Sequence, residues 1–392
     1  MLKNIARLSI LLVAACADIE TVPVASSISS RQVTGSGVDS LLLSGEPSNR
    51  ERRDLLVIGS RVAIGSRLLE RVGTASLAND GAIALYDAKA KQLYHLDSID
   101  ADGVAIGRSG SGPGEYASFL GVVHSRQEGV IVWDPMLRRL TKYSQDGALL
   151  QTQVLSELPS MFADGILYAG QADEVFIRAG TYEATTYIRV DEGRLTDTIA
   201  IPEIERDPNA EGFVHPIPHF ALLPTGTVVW TAGRSYTIEL HKDESSALVV
   251  NWDRVPVPFE PEEREQYQSL TEWMRLRVSQ SSENSAGLAD VPSNRPAISQ
   301  IIPQGDGGWA ILRERGSQRV TEPARPNPTG QPPVSWFPLH ELAVFNSDAT
   351  LRYVVDLPPR ARILSVRGDS LLGMMETPDG EQALTLWSAR AR

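Results

Sequence analysis

Six histidines, one cysteine and a surplus of carboxylates are the groups in this chain that could do chemistry. Spacing decides most of the cases. His215 and His219 stand four apart, as two ligands on one helical face would, but Pro216 and Pro218 forbid that helix and leave an extended segment. His340-Glu341 begins like a zinc-protease helix, yet Leu342, Ala343 and Val344 alternate like a strand and bring no second histidine. Asp100, Asp102 and Gly103 echo a calcium loop, with Ser98 in its first position and Ser109 where a bidentate glutamate is required, so a hairpin turn fits them better. Gly107-x4-Gly112 has the glycine spacing of a phosphate loop. Pro113 and Gly114 replace its lysine and hydroxyl, and Glu115 adds charge of the wrong sign, so the segment reads as a connector over one rim of the fold. There is no G-x-S-x-G elbow, and spacing assembles no catalytic set.

The 392 residues are 42% hydrophobic and 22% charged, ordinary values for a globular chain long enough to bury a large core. A formal net charge of −12, with no basic stripe, argues against nucleic acid as a partner. The N-terminus is different. Lys3 and Arg7 precede a short apolar run (8–13), and Val13-Ala14-Ala15 sets small residues directly before Cys16. A membrane-crossing helix needs about 20 apolar residues, so this stretch is a targeting peptide rather than a span. The small residues ending in cysteine resemble the bacterial lipobox. That resemblance implies a lipoprotein signal peptide over 1–15, acylation of Cys16, attachment to the membrane through it, and a place in the bacterial cell envelope facing periplasm or exterior. Cys16 is the only cysteine, so no thiol remains for a disulfide or a nucleophile. Residues 16–53, rich in Ser, Gly and Val without periodicity, read as a flexible tether.

The elements that must position any site are short strands. A turn followed by a compact apolar strand recurs six times, the strands starting at Ala82, Val130, Val175, Val228, Trp309 and Leu371. An apolar run precedes most of these turns, and alternating and outer strands follow them. Asp-Gly pairs such as Asp80-Gly81, Asp146-Gly147 and Asp306-Gly307 supply the positive φ of tight hairpins. Period two prevails, which predicts an all-β fold: a six-bladed β-propeller of four-stranded antiparallel blades over 54–392. The last copy has room for only three strands. The unassigned segment 55–64 is therefore expected to supply the fourth and close the ring, with residues near Leu56 pairing with those near Leu386.

The repeated unit, the loop GSGPGEY (110–116) and the ending VFNSDATLRYVVDLPPRARILSVRGDSLLGMM resemble the bacterial six-bladed β-propeller lipoproteins, distant relatives of NHL-repeat propellers. The resemblance implies fold and envelope location but no fixed activity. Two insertions depart from the unit. Residues 260–280 predict one helix, with Pro261 and Glu262-Glu263 in its first turn and Tyr267, Leu270, Trp273, Met274 and Val278 on one face. Residues 316–338 form a Pro-rich loop ending at Trp336-Phe337. With no catalytic residues identified, the favoured function is a binding module for a peptide, glycan or partner protein. Its candidate ligand-binding residues at the rim are Glu115, Tyr116, His215, His219, Trp273 and Trp336, and no cofactor is required. The rival reading is an enzyme, a lactonase-like hydrolase or lyase, holding a divalent metal in the central channel through ligands dispersed over several blades.

Overall fold

Runs of β-branched and aromatic residues between tight turns form short antiparallel strands almost throughout. The computed structural model describes residues 30–33, 38–117, 121–125, 129–156, 158, 162–170, 174–180, 185–191, 194–201, 218–242, 247–279, 290–320, 330–376 and 381–392. The expected signal peptide, Cys16 and His215 lie outside them. Four-stranded antiparallel meanders recur at 72–106, 121–154, 162–200, 219–253 and 300–356, and a last one of three strands lies at 361–391. Their second strands are buried on both faces, as in Ile83–Asp87 and Val130–Asp134, because each sheet is covered by a neighbour on either side. Outer strands such as Leu149–Val154 are largely exposed.

One local device repeats. The buried Asp87 ends its strand by accepting hydrogen bonds from the backbone of Lys89 and Ala90 in the following turn and of Glu70 in the preceding loop. Asp134 does the same with Leu137 and Ala117. A carboxylate that satisfies several backbone donors both closes a hairpin and pins the incoming connection.

The core is divided among the interfaces. Tyr86, Leu93 and Ile106 of the first meander pack with Val122, Val130 and Tyr143 of the second. At the other end of the chain, Leu372, Met374 and Leu384 of the last meander pack with Leu77 and Leu85 of the first. Strand β3 (Arg52–Arg61) pairs antiparallel with Gln382–Ala391, placing Leu56 opposite Ser388 and Gly59 opposite Leu386, the expected pairing of the two ends. Through Arg52 and Arg53, β3 also runs parallel to Leu351–Asp356, which joins the last two meanders into one eight-stranded sheet.

Two expectations are corrected. The presumed tether of 16–53 contains strands β1 (Ser30–Val33) and β2 (Val38–Ser44), and β3 already begins at Arg52. β2 lies parallel to Ala247–Asp253 from Val38↔Ala247 to Ser44↔Asp253. The cause is the run of leucines at 41–43. Leu41 and Leu43 are 6% and 3% exposed and pack with Val250 and Trp252, covering an otherwise open sheet edge, whereas Leu42 points outward at 46%. Residues 316–338 are not wholly a loop either, because the hairpin arms extend through Gly316↔Leu339 to Arg319↔Trp336. The helix α1 (Pro261–Ser279) forms as expected and lies against that hairpin. Glu263 meets Arg295, Gln266 accepts the Ser335 N–H (2.6 Å), and Glu262 pairs with Arg319.

Candidate functional site

The first strands of the meanders line one axial channel. Its waist, about 160 Å³, is bounded by Ala75, Val123, Leu222, Ile302 and Leu364, with Ser76, Gln304, Ser365 and Arg367 among its polar residues. It opens into two mouths. One lies where the connecting loops arrive, the other where first strands turn into second strands.

The loop-side mouth, about 590 Å³, is lined by Tyr86, Tyr168, Arg178, His219, Phe220 and Gln300. The Tyr86 hydroxyl is buried here without a hydrogen-bond partner among the described residues. Burial, partly offset by a hydrogen bond to the Ile298 backbone, lowers the His219 imidazole to about 4, so it is neutral in ordinary conditions.

The turn-side mouth, about 660 Å³, is more polar, and Asp80, His124, Asp306 and Arg367 face it from four different meanders. Arg367 donates from Nε to the Leu77 carbonyl (2.8 Å), and its guanidinium crosses Gly305 so closely that a Cβ there would collide with it. His124, 7% exposed, is pushed down to about 3 chiefly by burial, with His95 and Arg367 adding to the shift. Its backbone N–H and its Nδ1 both lie 3.2 Å from Ser76 Oγ, while its Nε2 has no partner among the described residues. Gln304, 2% exposed, leaves both amide atoms without a partner. Ser76 and His124 form a hydroxyl–imidazole pair that sequence spacing did not reveal. An imidazole with so low a pKa is a poor general base at neutral pH, so the pair does not assemble a nucleophile. Among the described residues no three His, Cys, Asp or Glu side chains stand together as metal ligands would.

The rim candidates fall in different places. Tyr116 is corrected outright: it is buried at the interface of the first two meanders, donating to Ile106 O (3.0 Å) and accepting from Leu93 N (2.9 Å). Glu115 accepts from Arg108 Nε (2.6 Å) and Gly112 N (2.7 Å), which lowers its pKa and folds the Gly-Pro loop on itself. Arg139 and Tyr143 hold the same loop through its carbonyls at Ser111 and Gly114, so the loop is built as a connector. Trp273 is half-buried on α1 beneath the Arg277 guanidinium (4.4 Å). Trp336 is paired into the long hairpin opposite Arg319, and Arg360 covers the neighbouring Phe337 (4.2 Å). His219 alone among these candidates lines a described mouth of the channel. Glu341, of the zinc-protease echo, is buried between Arg254 Nη2 (3.2 Å), Arg52 Nη1 (3.5 Å) and Arg313.

The missed residues lie where first strands end, His124 and Arg367 as last residues of their strands and Gln304 in the turn that follows one. Ala78, Ser125, Gly170, Leu223 and Gln304 each donate a backbone N–H to the residue four further on, closing equivalent turns. Aligning the copies on those turns makes a glutamine at this place conspicuous among small and apolar residues. It also puts His124 and Arg367 beside it at the ends of first strands.

No protein-family model and no curated protein matches the chain. Solved structures do. A member of the DUF4221 family from Bacteroides vulgatus is 12% identical with a TM-score of 0.50, the match covering 87% of this chain and 99% of that one. A Bacteroides fragilis protein whose name marks it as exported is 10% identical with a TM-score of 0.50, covering 90% and 99%. Virginiamycin B lyase from Staphylococcus aureus, 10% identical over 85% of this chain and 99% of its own, reaches only 0.40. The first two likenesses concern the fold alone, and that fold is the β-propeller.

Proposed function

We propose that the chain is a closed six-bladed β-propeller, held in a bacterial cell envelope by acylated Cys16, and that it acts as a binding module. Its ligand, a peptide, a glycan or a segment of a partner protein, enters the axial channel. The pairing of β3 with the last strand and the packing of the last meander on the first support the closed ring. The Lys3 to Cys16 motif and the exported relative in fold support the location. Among the described residues no helix is long and apolar enough to cross a membrane.

The observation that carries the binding reading is Gln304, buried in the channel wall with neither amide atom bonded. An unmatched buried polar group costs about 1–3 kcal/mol, a cost a bound ligand offsets by supplying the missing partner. The test is a thermal-shift screen of short peptides and neutral oligosaccharides, repeated on Ala78→Trp, which narrows the turn-side mouth. We expect at least one compound to raise the melting temperature of the native chain and not that of the variant. Compounds acting equally on both place binding outside this mouth. A stoichiometric divalent metal found by elemental analysis would overturn the reading in favour of metal-dependent hydrolysis or elimination.

A further inference from the structure

The turn-side mouth has a charge pattern that narrows the ligand, given the binding reading above. Arg367 brings a fixed guanidinium to it from the last meander, steadied by the Leu77 carbonyl and laid across Gly305. Two neutral groups stand with it. Ser76 Oγ accepts the backbone N–H of His124 and lies 3.2 Å from its Nδ1; in the tautomer in which the hydroxyl donates to Nδ1, the imidazole proton stands on Nε2 as a donor. The Gln304 amide supplies a second donor from the adjacent channel wall. Both groups are more than nine-tenths buried and lack partners among the described residues.

At the outer rim the sign reverses. Asp80 and Asp306 each spend one oxygen on their own turn, at Ala82 N (3.1 Å) and Gly308 N (3.0 Å), and are exposed to the same cavity, where the other oxygen of Asp306 lies 3.9 Å from Arg352 Nη1 in a long, solvated pair. A phosphate or other dianion would have to pass two carboxylates on a chain of net charge −12. A sugar would find no aromatic face, since no Trp, Tyr or Phe is among the described residues lining this mouth. A molecule with a carboxylate to go deep and an ammonium to stay outside meets favourable partners at both depths, and about 660 Å³ accommodates one of amino-acid or short-peptide size.

We propose that the turn-side mouth binds the carboxylate end of an amino-acid or short-peptide zwitterion, with Arg367 as its ionic partner, His124 Nε2–H and the Gln304 amide as donors, and Asp80 and Asp306 facing its ammonium. The carboxylate enters first. A charge-assisted bond of this kind discriminates an acid from its amide by about tenfold or more.

The test is calorimetric titration of the full chain with trialanine, its C-terminal amide, its N-acetyl form, free alanine and cellobiose. The His124 ring signal is followed in parallel by histidine-selective ¹⁵N NMR. We expect trialanine to bind and to move the His124 signal, amidation to weaken it at least about tenfold, and acetylation to weaken it less. Arg367→Gln should abolish the preference for acid over amide. Gly305→Ala, which keeps the charge but displaces the guanidinium, should reduce that preference, so the outcome does not hang on one variant's folding. Free alanine binding as well as trialanine identifies an amino acid as the ligand; tighter trialanine identifies a peptide terminus. Equal binding of acid and amide, or a preference that survives both variants, overturns the inference. If the amide or cellobiose moves His124 as strongly as the acid does, the channel binds by other chemistry and only the carboxylate assignment fails. If no probe binds or moves that signal at millimolar concentration, the carboxylate site is refuted, and the screen with Ala78→Trp decides the wider reading.

Discussion

His124 shows how one residue links the channel to the stability of the whole. Its imidazole is pushed from 6.5 down to about 3 by burial, with His95 and Arg367 working in the same direction and Asp80 against them. An unfolded chain therefore takes up this proton at a pH where the folded chain does not. The sign follows directly: the contribution is fully present above about 6.5, is lost as pH falls from there toward 3, and is flat below. The slope is at most about 1.4 kcal/mol per pH unit for one such group. We expect His124→Asn to be less acid-sensitive than the native chain. Between pH 6.5 and 5.5 the stability lost, read from urea midpoints, should be smaller in the variant by about 1 kcal/mol. Parallel pH profiles for the two proteins would show that the imidazole is not held neutral by burial. His219 and His340 are each lowered to about 4, also by burial first, and steepen the same decline in both proteins.

At the scale of the element, β2 separates what composition suggests from what a sheet edge imposes. If 38–44 were only a tether, Leu42 and Leu43 would be interchangeable. As a strand parallel to Ala247–Asp253 they differ, since Leu43 is buried beside Val250 and Trp252 and Leu42 faces out. Leu43→Ala should cost about 2–5 kcal/mol in urea unfolding and Leu42→Ala no more than about 0.5 kcal/mol. Equal small effects would restore the tether. The same contrast explains how much was legible in advance. Strands such as Val130–Asp134 announce themselves because β-branched runs, Asp-Gly turns and period two all agree. The role of β3 was legible as well, because the last copy lacked a strand and 55–64 lacked a copy. β2 was not, because a parallel addition is decided by the free edge of a distant strand and not by the seven residues that fill it. The hairpin arms at Gly316–Arg319 and Trp336–Leu339 were hidden by the prolines between them, which weigh on composition without interrupting the paired residues. Arg367, Gln304 and His124 were hidden for a third reason: each is unremarkable in its own segment, and only the stacking of meanders brings them to one mouth. Tyr116 and Trp336 erred the other way, since an aromatic beside a loop looks like a binding residue until its neighbours bury it.

In the whole molecule, residues 38–61 tie the fourth, fifth and last meanders together at their outer strands. β2 adds to the outermost strand of the fourth meander, and β3, a few residues later, pairs with outer strands of the last two. Glu46 between them meets Arg254, itself paired with the buried Glu341, so the crossing from one sheet to the next is fixed by charge as well as by backbone pairing. The N-terminal segment thus reaches the body at its perimeter, away from the axis. A tether leaving from there would leave both channel mouths open to a ligand, which is the arrangement a membrane-held binding module needs. Stable attachment requires more than one acyl chain, since each buried methylene contributes about 0.8 kcal/mol and a single chain holds only marginally; the lipobox reading supplies them at Cys16. Because Cys16 is the chain's only thiol, one substitution tests the anchor without touching the fold. Expressed in a bacterial host fed an alkyne-tagged fatty acid, the native chain should carry the label and sediment with membranes. Cys16→Ser should lose the label and appear in the soluble fraction with an unchanged melting temperature. A native chain that is cleaved but unlabelled would mean an ordinary secretory leader, and the propeller would then work untethered.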